Sequence, residues 1–163
     1  MEWIKIIFKA LIIVVLQVVL FDRLQIQGWG YPMIYTLLLL SLPIQVPRWA
    51  EMLIGLLVGL IIDICNSSMG VHMAACIAMS YLRPILLKKS VQDIERIKGE
   101  ITIHSIGVVE YIKCAVILIF IHHLMVFALE AWSLQNWWML LLQIVFSSIL
   151  TSFIVIGYGL LKE

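Results

Sequence analysis

Residues 137–161 read WWMLLLQIVFSSILTSFIVIGYGLL, 25 consecutive positions without an Asp, Glu, Lys or Arg. About 20 predominantly apolar residues suffice to carry a helix across the hydrocarbon core of a bilayer, so this stretch predicts a membrane span. The rest of the chain has the same character. Of its 163 residues, 63% are hydrophobic and 13% charged, and the mean hydropathy is +1.08. Soluble domains run at roughly 45–50% apolar and about 25% charged. Composition therefore excludes a water-soluble globular domain, a disordered chain, a coiled coil, a collagen and a disulfide-rich secreted module. Six spans would occupy roughly 120 residues and leave no room for a separate soluble domain. The expected organisation is one polytopic membrane domain over 1–163.

Working back from the last span, a fifth is expected at about 108–130. The only polar stretch of any length, 88–107, precedes it. Within that stretch Val91, Ile94, Ile97 and Ile101 recur at spacings of three and four, which suits either an amphipathic helix on the inner membrane face or a solvated loop. Asn66 to Gly70 carries turn chemistry and separates a third span, about 49–65, from a fourth, about 71–87. Pro32, Pro43 and Pro47 shorten the second span to about 32–46, because proline is tolerated at helix starts and breaks interiors. The first span, about 3–21, opens like a signal peptide but ends Leu20, Phe21, Asp22, Arg23 without a small-residue cleavage site, so a retained helix is expected.

Basic residues give the sidedness. With six spans and the N-terminus inside, Lys5, Lys9, Arg48, Arg83, Lys88, Lys89, Arg96, Lys98, Lys113 and Lys162 fall on the cytoplasmic side and Arg23 alone falls outside. The positive-inside rule then places both termini in the cytoplasm. A re-entrant hairpin in place of spans three and four would leave the same residues inside; six is preferred because both segments exceed 16 residues. Trp3, Trp29, Trp49, Trp132, Trp137 and Trp138 all fall at expected helix ends, the depth at which tryptophan settles. Cys65, Cys76 and Cys114 have no metal-site or disulfide spacing and read as small buried hydrophobes.

Few polar residues interrupt the spans. Asp63, with Asn66 and His72, reads either as a polar knot at the outer surface that ties two helices or holds a partner, or as a carboxylate reaching outer-leaflet water. Gly55 and Gly59 form a G-x-x-x-G that lets another helix approach closely. Arg83 and Pro84, followed by Lys88 and Lys89, read as a helix-end anchor on anionic lipid or as a docking surface for a cytoplasmic protein. His122 and His123 point about 100° apart on a helix and cannot share one ion as an i, i+4 pair does. A buried polar contact between helices is expected instead. Glu130 lies two turns on, near the outer surface, and Glu110 and Lys113 are spaced to pair. No zinc-protease, nucleophile-elbow or phosphate-loop motif occurs, so no enzyme, metal or cofactor is expected. A net charge of +1 carries no signal for nucleic acid.

Taken together, Gly59-Leu-Ile-Ile-Asp63, Asn66 and Ser67, Gly70-Val-His72-Met-Ala-Ala75 and Tyr81-Leu-Arg83-Pro84 resemble the central signature of the rod shape-determining MreD family. Tyr31-Pro-Met-Ile-Tyr35, Leu42-Pro43, Ile121-His-His-Leu124, Phe127 and Leu129-Glu130 are similar to one branch of it. The resemblance implies a non-catalytic component of the bacterial cell-wall elongation complex, in the inner membrane. Its implied partners are MreC, the actin-like MreB, the elongation penicillin-binding protein and the SEDS glycosyltransferase, within the lipid bilayer. The implied fold is an all-α membrane protein of six transmembrane helices, like the S components of energy-coupling-factor transporters. Asp63, Gly70, His72, Arg83 and Pro84 stand at the motif positions. The alternative is the substrate-binding membrane subunit of a vitamin or small-molecule transporter, whose outward polar pocket would draw on Asp63, Asn66, His72 and Glu130.

Overall fold

The computed structural model describes residues 2–24, 30–92, 94–131 and 136–161. Trp29, Trp132, Lys162 and the side chains of Trp3 and Lys5 lie outside the described residues. The elements are helices α1 (Glu2–Val19), α2 (Thr36–Leu40), α3 (Arg48–Asn66), α4 (Val71–Ser90), α5 (Ile103–Ile106), α6 (Val108–Glu130) and α7 (Trp137–Leu161), with single 3-10 turns at Phe21–Arg23 and Ile94–Arg96. No strand occurs among the described residues. Helices α3, α6 and α7 are long and apolar enough to cross a membrane, which makes this a membrane protein. Helices α1 and α4 have comparable length but are not among those three.

The distribution of side chains is inverted relative to a soluble bundle. Phe8, Leu11, Val19, Leu53, Ile64, Phe146, Ile149 and Phe153 are exposed. Gln17, Thr36, Glu51, Asp63, Arg83, His122, His123 and Thr151 are buried. Trp49, Trp137 and Trp138 are exposed at the starts of α3 and α7, the position an interfacial anchor takes.

Helix α3 packs on α4, α4 on α6, and α6 on α7, while α1 lies against α3. The α3–α4 approach is closest at the two glycines, as the G-x-x-x-G spacing predicts. A Cβ on Gly55 would lie 2.8 Å from the Cys76 carbonyl oxygen, and one on Gly59 would lie 2.7 Å from that of His72. The α3–α4 turn places Ser67 (φ 55°) and Gly70 (φ 83°) in the left-handed region. We call this the turn end of the bundle and the side carrying residues 88–107 the loop end.

The expected second span is not a long helix. Only Thr36–Leu40 is helical within 32–46, and residues 32–42 are buried without exception. A helix apolar on every side has no lipid-facing and core-facing stripe, which is the pattern of a fully enclosed element. This segment runs through the bundle interior antiparallel to α1: Gln17 bonds Pro32 and Ile34 at the turn end, and Lys9 bonds Ser41 at the loop end. Backbone broken at membrane depth is tolerated only where protein, not lipid, surrounds it.

Over 88–107 no long amphipathic helix forms; Lys88, Lys89, Gln92, Glu95, Arg96 and Lys98 are exposed, while the apolar residues turn inward. Ile94, Ile101, Ile103 and Ile106 are buried and Val91 and Ile97 pack against the core, so the apolar residues close the loop end of the bundle instead of facing a membrane surface. Glu110 and Lys113 form no ion pair. Cys76 and Cys114 are buried as expected, whereas Cys65 is exposed.

Candidate functional site

A five-residue helix leaves most of its flanking peptide groups without intrahelical partners, and in a low-dielectric interior each unmet group is costly. The polar side chains of the surrounding helices supply those partners. At the turn end, Tyr31 N–H donates to Ser147 Oγ (3.0 Å), Met33 N–H to Thr151 Oγ1 (3.0 Å) and Ile34 N–H to Gln17 Oε1 (2.7 Å). At the loop end, Arg83 Nε donates to the Leu40 carbonyl (3.2 Å) and Nη2 to that of Leu42. Arg83 Nη1 meets Glu51 Oε1 at 2.8 Å. Arg83 is 0% exposed. It therefore neither anchors the helix in anionic lipid nor offers a cytoplasmic docking surface. Pro84 is buried beside it.

Asp63 does not reach water. Its Oδ1 accepts from Ser68 Oγ (2.6 Å) and from the His72 N–H (3.1 Å), and its Oδ2 from the Met73 N–H (2.9 Å). His72 and Met73 lie in the first turn of α4, so a carboxylate on α3 satisfies the free donors of the next helix and sits at its positive dipole end. Asp63 thus ties α3 to α4 through Ser68 and the backbone of His72 and Met73; Asn66 is exposed and takes no part.

The two histidines face different neighbours, as their angular separation requires. His123 Nδ1 lies 2.8 Å from the Ile119 carbonyl, which only accepts, so this nitrogen carries the proton. Its Nε2 then accepts from Thr151 Oγ1 (3.1 Å), and the chain runs from the Met33 N–H through Thr151 to His123. On the other side, Tyr35 Oη lies 2.7 Å from His72 Nδ1 and 3.3 Å from His122 Nε2. The Tyr35 hydroxyl thus stands between the two rings, able to donate to one and accept from the other. His122 Nδ1 is buried with no hydrogen-bond partner among the described residues.

A cavity of ≈ 450 Å³ opens at the turn end. Its walls include Gln17, Asp22, Tyr35, Asn66, His72 and Glu130. Three of the four residues expected to build an outward pocket (Asn66, His72 and Glu130) line it. Asp63 does not, because the α4 terminus occupies both its oxygens. Sequence reasoning does not assign Gln17 or Asp22 to a site, and names Tyr31 and Tyr35 only as the ends of a run that carries the resemblance. The signal available for Gln17 was a glutamine in the middle of an otherwise apolar first span, where an amide needs a buried partner. Glu51 carried a comparable signal, an acid one turn into a span whose other end holds Asp63. No model of a protein family, no curated protein and no solved structure matches the chain.

Proposed function

We propose that this protein is a non-catalytic membrane component of the bacterial cell-wall elongation complex, an MreD-like protein that assembles or regulates MreC and the wall synthases. In this reading the chain crosses the inner membrane six times. The traverses are α1, the broken segment 30–47, α3, α4, α6 and α7, with both termini cytoplasmic and the turn end outside. The observation that carries it is the coincidence of the most specific motif run, Asp63 to Pro84, with the α3–α4 hairpin. The charged members of that run, Asp63 and Arg83, are engaged by the fold itself. A hairpin so fixed suits a rigid mount for other proteins, with Met69 90% exposed at its tip and Leu53, Leu57 and Ile64 along its outer face.

The test is recovery of MreC with the tagged protein from solubilised membranes. The reading expects MreC to copurify, and expects Met69→Asp to lower the yield while the variant still inserts. Failure of MreC to copurify with the wild-type chain contradicts the reading.

The cavity favours a second reading, a small-molecule-binding subunit of a membrane transporter. Neighbouring genes separate the two: transporter ATPases would favour this reading, and actin-like and wall-synthesis genes the first.

A further inference from the structure

The cavity at the turn end is large enough for a small organic molecule, within the roughly 300–1,000 Å³ of ordinary ligand pockets, and its charge is one-sided. Asp22 and Glu130 line it and no lysine or arginine does. The undescribed stretches 25–29 and 132–135 read QIQGW and WSLQ, without a charged residue. Arg23, next in sequence to Asp22, is exposed and stands outside the lining.

Two further observations concern polar groups at the cavity whose hydrogen bonding is incomplete among the described residues. Asp22 Oδ1 accepts from Gln17 Nε2 at 2.7 Å, while Oδ2 is buried with no hydrogen-bond partner among the described residues. His72 is 6% exposed and lines the cavity, and its Nε2 has no partner among the described residues. In the tautomer whose Nδ1 accepts from the Tyr35 phenol, Nε2 presents an N–H. Phe21, Tyr31, Tyr35 and Phe127 form the aromatic part of the lining, with the Tyr31 and Phe127 ring centroids 5.8 Å apart. Carboxylates beside aromatic faces select an ammonium group by charge and by cation–π attraction. The His72 donor adds a requirement for an acceptor such as a hydroxyl or ester oxygen on the same molecule.

We propose that this cavity binds an organic ammonium carrying an oxygen acceptor, an ethanolamine- or choline-like group. The group comes either from a soluble amine or from an amine-bearing phospholipid headgroup. A bare metal ion fits less well, since no three His, Cys, Asp or Glu side chains among the described residues are arranged to hold one. The proposal concerns the cavity alone and stands whether its occupant is a cargo or a regulator of assembly.

The experiment uses the full chain in nanodiscs of phosphatidylglycerol, which has no amine. Choline and ethanolamine are titrated while tyrosine and tryptophan fluorescence is followed, and magnesium is titrated in parallel. Saturable binding is expected, weakened about tenfold or more by Glu130→Gln, with Lys89→Gln binding as wild type. Glu130 is exposed at a helix end, where the isosteric amide is expected to leave the fold intact; Asp22→Asn serves as a second probe. Mass spectrometry of protein prepared from native membranes identifies the source. Retained phosphatidylethanolamine that choline displaces marks a lipid ligand, and binding of soluble amine without retained lipid marks a soluble one. Absence of saturable binding, equal binding by the Glu130 variant, or magnesium binding as tightly as choline would each overturn the proposal.

Discussion

Arg83 on α4 and Glu51 on α3 meet at 2.8 Å inside the bundle, and the same guanidinium holds the Leu40 and Leu42 carbonyls of the broken segment. One side chain thus joins three elements that are distant in sequence. Its fork of donors suits the task, since arginine satisfies several acceptors at once and lysine, a point charge, does not.

Removing one member of a buried pair leaves the other charge uncompensated, at a cost of about 3–5 kcal/mol. Arg83→Met is expected to lose about that much stability in detergent unfolding. Arg83→Met combined with Glu51→Gln is expected to lose less than the sum of the two single changes. Additive losses would show that the pair is not coupled.

Asp63→Ala removes the cap of α4, for an expected loss of about 1–2 kcal/mol. Asp63→Asn keeps an acceptor and is expected to lose less. Hydrogen exchange at the His72 and Met73 amides should rise in the alanine variant before exchange elsewhere in α4.

The two glycine environments give an internal control. A Cβ at Gly59 meets the backbone of His72 and Met73, whereas one at Gly157 meets nothing within 4 Å. Gly59→Ala should therefore destabilise by forcing α3 and α4 apart. Gly157→Ala should be neutral or slightly stabilising through helix propensity. Equal thermal stabilities would contradict the packing described.

Thr151→Val leaves the Met33 N–H and His123 Nε2 unmet together, with an expected cost of about 1–3 kcal/mol for a stranded buried group. Thr151→Ser keeps the hydroxyl and should recover most of it.

Cysteine labelling reads exposure and sidedness in one experiment. Cys65 is exposed near the turn end, and Cys76 and Cys114 are buried. A membrane-impermeant maleimide added to spheroplasts should modify Cys65 alone. Labelling only after the cells are opened would reverse the proposed orientation.

The long helices were legible because hydropathy and length suffice for them. The expected 108–130 and 137–161 coincide with α6 and α7, and 49–65 and 71–87 lie within α3 and α4. The segment 32–46 was misread for a physical reason. An uninterrupted apolar run is equally compatible with a lipid-facing helix and with a broken segment enclosed by protein, and only Pro32, Pro43 and Pro47 argued for the second. The polar residues that make the break tolerable, Gln17, Arg83, Ser147 and Thr151, lie far from it in sequence, so no local pattern links them. Arg83 was misplaced for a related reason. An arginine near the basic end of a span reads as an interfacial anchor, and its burial depends on Glu51 one helix earlier. Asp63 and His72 were legible as a pair at the α3–α4 turn because a nine-residue spacing across a glycine turn brings one helix end to the next.

The most direct test of the functional account is depletion of the protein in its own cell while shape and incorporation of a fluorescent wall precursor are imaged. The account predicts rounded, swelling cells with dispersed incorporation, restored by the wild-type chain. Cells that keep their shape, and stop growing only until a small-molecule nutrient is supplied, would contradict it.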